Sequence, residues 1–327
     1  MSIKTLGELL SAAEAGNYAV GAFNVSDLNQ AVSVLDAARA ESSPVIVQVL
    51  VGVHPYGDES MWWNELRNLL LAYDDVPSVL HLDHGRTAED CARAIEHGFT
   101  GVMIDASRRV ADDLPATLGD NMARTAEVVG LARGHGVSVE GELGTVGGAE
   151  AGVKADDEEI VFADPQEALR FTNQTGVDAL AVAVGTSHGA VKFTTKDGSQ
   201  RLRIPLIAEI KKHLPDTYLV LHGSSSIPED AVQEINRYGG DLPESHGIST
   251  AQKQEGIAHG IRKINQGTDS HLAWTAALRR SLHVDASVVE PSHAVGEAMK
   301  AMKNMVAGRM REFGSAGKSA QVGEFLG

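Results

Sequence analysis

His81-Leu82-Asp83-His84-Gly85 puts a carboxylate and an imidazole on adjacent residues where an apolar run, residues 76–82, comes to an end. A carboxylate so placed can take a proton while the imidazole beside it holds a metal ion. The ending recurs in two later segments, Ala181-Val182-Ala183-Val184-Gly185-Thr186-Ser187-His188-Gly189 and Leu219-Val220-Leu221-His222-Gly223-Ser224-Ser225-Ser226, each a β-rich run that closes on His-Gly. Zinc enzymes typically hold the ion with three protein ligands and leave a fourth position to water or substrate. His84, His188 and His222 are therefore candidate ligands of a catalytic metal, with Asp83 as a base next to it.

Such residues need strand ends that converge. The hydrophobic pattern predicts strands at residues 18–25, 44–49, 79–82, 101–104, 137–143, 178–184, 218–221 and 260–264. Helical patterns follow at 28–40, 61–73, 87–97, 121–133, 202–213, 229–238 and 272–283, and an amphipathic helix opens the chain. Short apolar strands alternating with helices imply parallel βαβ units, and eight of them close a (β/α)8 TIM barrel in which chemistry gathers at the C-terminal strand ends. Asp83, His84, Glu140, Glu142, His188, His222 and Asn265 are all expected there. An open doubly wound sheet is the alternative, but no Gly-x-Gly-x-x-Gly follows the first strand. No linker divides residues 1–327, so one domain is expected. Two segments fall outside the eightfold pattern. Residues 144–163, rich in glycine and acidic groups, are expected to form a mobile loop after the fifth strand, with the acidic run 156–159 a solvated surface. Residues 290–313 are expected to form an extra C-terminal helix whose Met299, Met302 and Met305 pack against the barrel or a neighbouring subunit.

Composition narrows the partners. A net charge of −16 disfavours nucleic acid and anionic membrane surfaces, so any phosphate must be held by local groups. The single cysteine, Cys91, lies in a helical pattern and cannot form an internal disulfide, which fits a reduced, cytoplasmic setting. The N-terminus lacks a signal-peptide pattern, and no apolar run is long enough to span a bilayer.

In order along the chain, HLDHG, GFTGVMIDAS, VEGELGTVGG, TGVDALAVAVGTSHGAVKF, LVLHGSSSIPED and IRKIN closely resemble the class II, metal-dependent fructose-bisphosphate aldolases, from about residue 21 to about residue 316. The resemblance implies one catalytic Zn²⁺ on His84, His188 and His222, with Glu142 close by, and it allows a monovalent cation beside the zinc. It implies Asp83 as general base toward the C4 hydroxyl of a ketose 1-phosphate, Asn265 as the group that hydrogen-bonds the enediolate, and Glu150 as a loop carboxylate that moves protons. Glu140 would support the site. The C1-phosphate would sit on Gly189, Lys192, Gly223, Ser225 and Thr268, where backbone N–H groups and a lysine make an anion cradle without a large positive field. Asn24 and Gln48 would face the same mouth. A homodimer or homotetramer is implied as well.

The family pattern Lys-Ile-Asn-x-Asp-Thr-Asp-x-Arg here reads Lys263-Ile264-Asn265-Gln266-Gly267-Thr268-Asp269-Ser270-His271. Gly267 replaces an aspartate that orients sugar hydroxyls, and His271 replaces an arginine that grips the second phosphate. Leu50-Val51-Gly52 stands where a phosphate-binding Ser-Arg-Gly is expected, and Ser287 stands at the position of a partner-subunit arginine. Losing one partner of a buried charge pair costs on the order of 2–5 kcal/mol. These changes together predict a dihydroxyacetone-phosphate aldolase whose aldehyde product is not glyceraldehyde 3-phosphate, with Leu50, Val51, Val53, His271 and Trp274 lining its pocket. The alternatives are an ordinary fructose-1,6-bisphosphate aldolase, with other groups standing in for the missing ones, and a catalytically silent metal-binding barrel. Intact Asp83 and the three histidines speak against the last.

Overall fold

Strand and helix alternate from one end of the chain to the other, and the computed structural model describes residues 3–144, 147–150, 153–154, 161–188 and 202–324. The first half contains α1 (Leu6–Gly16), β1 (Val20–Asn24), α2 (Leu28–Glu41), β2 (Val45–Val49), α3 (Glu59–Ala72), β3 (Ser78–Gly85), α4 (Ala88–Glu96), β4 (Gly101–Ile104), α5 (Leu118–Arg133) and β5 (Ser138–Leu143). Next come β6 (Gly147–Glu150), β7 (Val153–Lys154), α6 (Pro165–Thr175), β8 (Ala179–Val182), β9 (Ser187–His188), α7 (Ile204–His213) and β10 (Tyr218–Leu221). The chain finishes with α8 (Glu229–Arg237), α9 (Thr250–Ala258), β11 (Ile261–Gln266), α10 (Thr268–Val284), α11 (Pro291–Glu312) and α12 (Gln321–Glu324).

Strands β1, β11, β10, β8, β5, β4, β3 and β2 hydrogen-bond in that order into a closed barrel, and the paired strands run parallel. This is the expected (β/α)8 barrel. Helix starts follow from side chains that accept the otherwise unpaired first N–H groups. Asp27, Asp58 and Asp164 cap α2, α3 and α6, while Thr87 caps α4 in a reciprocal box with Asp90. Trp62 and Trp63, on α3, are buried in the outer core as ordinary packing residues.

Because side chains alternate across a strand, one residue in two enters the barrel. The inner face changes character along its length. At the N-terminal end, Val20, Ala22, Ile46, Val79, Ala179, Ala181 and Val220 form an apolar floor, sealed by Leu6, Leu9 and Leu10 of α1. Above that floor, on β1, β2, β3, β5 and β11, come Asn24, Gln48, His81, Asp83, Glu140, Glu142, Lys263 and Asn265, all buried. The polar layer is thus lifted onto a dry base.

Three features depart from the sequence reading. β11 runs to Gln266, two residues past the predicted end, so Asn265 sits within the strand. Glu140 lies inside the barrel rather than at its rim, fully buried against Lys263. Helix α9 has no counterpart in the predicted elements, because the side it buries carries Lys253, Gly256 and Ile257 rather than an apolar stripe. In the expected mobile loop, β6 pairs with β7 and with β9 as a small separate sheet, and the acidic run 156–159 lies outside the described residues. Helix α11 occupies the predicted C-terminal extension, with Met302 fully buried and Met299 and Met305 partly so.

Candidate active site

The ladder between β3 and β4 slips after Leu82, whose partner is Val102, and resumes with Gly85 opposite Ile104. Asp83 and His84 occupy the slip, and His84 takes a left-handed φ of 46°. A bulge at a barrel rim re-aims side chains, and a non-glycine residue at positive φ persists only where its surroundings fix it. The sequence places the candidate base and the candidate ligand side by side, and the bulge brings both to the donor group they form with His222.

Asp83 is ringed by amides. Its Oδ2 accepts from Asn24 Nδ2 at 2.8 Å and Gln48 Nε2 at 3.1 Å, and its Oδ1 from Asn265 Nδ2 at 3.1 Å. Gln48 also donates to Asn24 Oδ1 at 2.9 Å. Asn24, Gln48 and Asn265 are therefore joined to one another through the carboxylate. Behind them, Lys263 Nζ reaches Asn265 Oδ1 at 2.7 Å and Glu140 Oε2 at 2.8 Å, and Glu140 Oε1 meets His222 Nε2 at 2.8 Å. A continuous buried chain of polar contacts runs from the base to a metal-ligand candidate.

The donors for a cation lie on the other side. Asp83, His84 and His222 form one group with ligand atoms within 4.8 Å of one another, and His84, Asp105 and Glu142 form a second. Glu142 Oε2 lies 4.0 Å from His84 Nδ1 and 3.6 Å from His222 Nδ1, and it accepts no hydrogen bond from the described residues. Atoms sharing one zinc, each about 2.0–2.2 Å from it, are at most about 4.4 Å apart, so imidazole and carboxylate donors at these spacings fit a divalent ion. Charge points the same way. Burial would lower the His84 pKa, but Asp83, Asp105 and Glu142 outweigh it and hold the imidazole well above its usual value. Burial and the neighbouring charge of Asp105 push Glu142 well above the carboxylate range. A bound cation would relieve both. His222, by contrast, is lowered to about 4 by burial despite Glu140, which leaves it neutral and able to ligate.

Sequence reasoning gave no role to Asp105, Lys263 or His81. Asp105 follows β4 directly and accepts from Ser107 N–H at 3.2 Å while its Oδ2 lies 3.1 Å from His84 Nδ1. Its place after a strand was the available signal. His188 has its backbone in β9, paired with Gly148 of β6, and Gly223 packs on the adjoining Ser187. A Cβ at Gly223 would come within 2.7 Å of the Ser187 carbonyl, and its φ of 59° also demands glycine. The side chains of His188 and Glu150, and all of Gly189 and Lys192, lie outside the described residues.

Ser225 is buried on the loop after β10, and Thr268 is the first residue of α10. Thr268 also lines a cavity of about 590 Å³ with Asn24, Leu50, Val53, His271, Leu272, Trp274 and Arg279. Of the residues expected to line the pocket, Val51 does not; it sits in the turn closed by the Val53 N–H on Leu50 O and packs against the outer hydrophobic core. Gly267 is the N-cap of α10 and supplies no side-chain cap. Ser287 is exposed between α10 and α11, where it bonds Asp285, and is not part of the cavity wall within one chain.

The family model for fructose-bisphosphate aldolase class-II matches residues 4–318. The fructose-bisphosphate aldolase of Xanthobacter flavus is 41% identical over 332 residues, covering 98% of this chain and 94% of that protein. That of a Nostoc species is 42% identical over 336 residues, covering 98% and 92%. Among solved structures, the YdjI aldolase from Escherichia coli K12 superposes with a TM-score of 0.76 at 26% identity, covering 97% of this chain and 99% of that one. Kinship of this degree along nearly the whole length means that the chain belongs to the class II fructose-bisphosphate aldolases, the metal-dependent aldolase family, and is a lyase.

Proposed function

We propose that the chain reversibly cleaves fructose 1,6-bisphosphate to dihydroxyacetone phosphate and glyceraldehyde 3-phosphate. Relatives of that name at about 40% identity over almost the full chain support this substrate, and the observation that carries the chemistry is Asp83 held by amides beside the His84, His222 and Glu142 donors. His84, His188 and His222, with Glu142 nearby, would hold one Zn²⁺. That ion, when bound, supplies Lewis-acid polarisation of the C2 carbonyl. Asp83 takes the proton of the C4 hydroxyl; the C4–O electrons form the aldehyde carbonyl, and the C3–C4 pair passes into the C2–C3 enediolate. Asn265 hydrogen-bonds that enediolate, Glu150 returns a proton to C3, and Gly189, Lys192, Gly223, Ser225 and Thr268 hold the C1-phosphate. The working form is a homodimer or homotetramer.

A second reading, a ketose 1-phosphate with a different tail, is favoured by the apolar wall of the outer cavity and by Leu50 and His271 standing in it. Arg279 is the one arginine or lysine among the described residues of that wall and could serve a distant anion. The deciding measurement is kcat/KM for fructose 1,6-bisphosphate against ketose 1-phosphates lacking the distal phosphate. A hundredfold preference for the bisphosphate retains the first reading and removes the second; the reverse preference exchanges them. Activity that survives metal stripping would defeat both readings by showing a metal-independent reaction, and absence of activity even after Zn²⁺ is restored would leave a silent barrel.

A further inference from the structure

The loop after β10 is held in a conformation its own sequence disfavours. Ile227 has φ 54°, a left-handed value that a β-branched residue adopts only under constraint. The constraint is Asp269, fully buried in the first turn of α10, whose two oxygens accept the N–H groups of Ser226 at 3.0 Å and Ile227 at 2.9 Å. Asp269 is in turn paired with Arg309 Nη2 of α11 at 2.9 Å. Arg309 also pairs with Glu312, and Glu312 with Lys253 of α9 at 3.2 Å; Lys253 Nζ returns to Ser226 Oγ at 2.7 Å. The circuit closes on the loop it began from.

The other side of the loop is fixed too. Ile248 N–H donates to Ser225 O at 3.1 Å and Gly247 N–H to Ser226 O at 3.2 Å, while Ser224 Oγ donates to Asn265 O at 2.8 Å. Ser225 itself is 4% exposed, yet its N–H has no acceptor among the described residues. A sheltered N–H left over beside the satisfied N–H groups of Ser226 and Ile227 is a donor kept for a ligand, and a backbone donor on an irregular loop suits an anion.

We infer that Arg309, from the C-terminal helix, is a positioning residue for anion binding: through Asp269 it locks the strained loop so that the Ser225 N–H stays presented to the substrate phosphate. The inference rests on the reading in which this loop takes the C1-phosphate. Arg309 touches no substrate; its influence passes through one carboxylate into two backbone N–H groups. Asp269, not arginine, makes the contact with the loop, so a lysine at 309 should restore part of the effect by supplying the charge without the fork.

The test uses the full-length, zinc-loaded protein with fructose 1,6-bisphosphate in kinetics and inorganic phosphate and dihydroxyacetone phosphate in calorimetry. Arg309→Gln is expected to raise KM and both dissociation constants on the order of tenfold, with kcat within about threefold and Arg309→Lys intermediate. Glu312→Gln, a milder change that frees Arg309 without removing it, should shift the same constants less and covers the case in which Arg309→Gln does not fold. If Arg309→Gln and Glu312→Gln lower Tm while leaving KM and phosphate affinity at the parent values, Arg309 is only a structural brace and the inference is overturned. Failure of the underlying reading looks different: parent protein with Ser225→Pro, which deletes that N–H, would then bind phosphate as well as before.

Discussion

Glu140 and Glu142 lie one pleat apart on the same face of β5 and are pushed in opposite directions. Burial would raise Glu140, but Lys263, His222 and His81 outweigh it and hold the carboxyl well below its usual range, whereas burial and Asp105 raise Glu142. In the proposed mechanism Glu140 is a fixed anion that would orient His222 by its Nε2 and leave Nδ1 for the ion, in the manner of carboxylate partners behind metal-bound histidines. Glu140→Gln is expected to weaken zinc affinity about 10- to 100-fold, read by competition against a chelator with KM largely kept. Unchanged zinc affinity would mean that Lys263 and packing alone set the ring. At this scale the sequence was legible where chemistry is local: Asp83-His84 and the His222-Gly223 ending stand out in the chain, and the fold brings Asp83, His84 and His222 together. Asp105, Lys263 and His81 were silent because the charged partners that give them their roles, His84 for the first and Glu140 for the other two, lie 21 to 123 positions away on other strands, visible only once the barrel closes.

Elements were legible to the extent that they follow a two-residue or 3.6-residue apolar period. The strand and helix preceding and following Asp83 were clear, and Thr87, which caps α4 and leaves Asp83 free of that duty, accepts the N–H of Asp90 at 3.1 Å. Thr87→Ala should lower stability by about 0.5–2 kcal/mol, seen as a fall in Tm on the order of 2 °C, and should leave zinc affinity intact. A loss of zinc as well would show that the cap also holds the β3 bulge. Helix α9 escaped prediction for the reason that makes it useful: the residue it turns inward, Lys253, belongs to a charged cluster rather than to an apolar stripe. The slip in β3 has no signature in composition, since it comes from register against β4.

For the molecule as a whole, the stacking of a polar layer on an apolar floor makes stability without metal depend on pH. His222 has an ordinary value of 6.5 and is lowered to about 4 in the fold. Between those values the unfolded chain binds a proton that the folded chain refuses, so stability present above pH 6.5 is lost as pH falls toward 4. Zinc-stripped protein should show a falling Tm across that window, and His222→Gln should flatten part of the fall. Equal slopes for parent and variant would remove His222 as the cause. Bound zinc competes with the proton and should carry the onset to lower pH.

Helix α1 makes this barrel a vessel with a stopper at one end. Leu6, Leu9 and Leu10 seal the floor in a cluster that is aliphatic but for Tyr18, so water and reactants share one doorway. A sugar phosphate lodged there would be its own cork: as it settles, it dries the chamber beneath it, and no second drain has to be shut. Perforating the base, by trimming those leucines, would let solvent rise from below while the doorway stayed untouched.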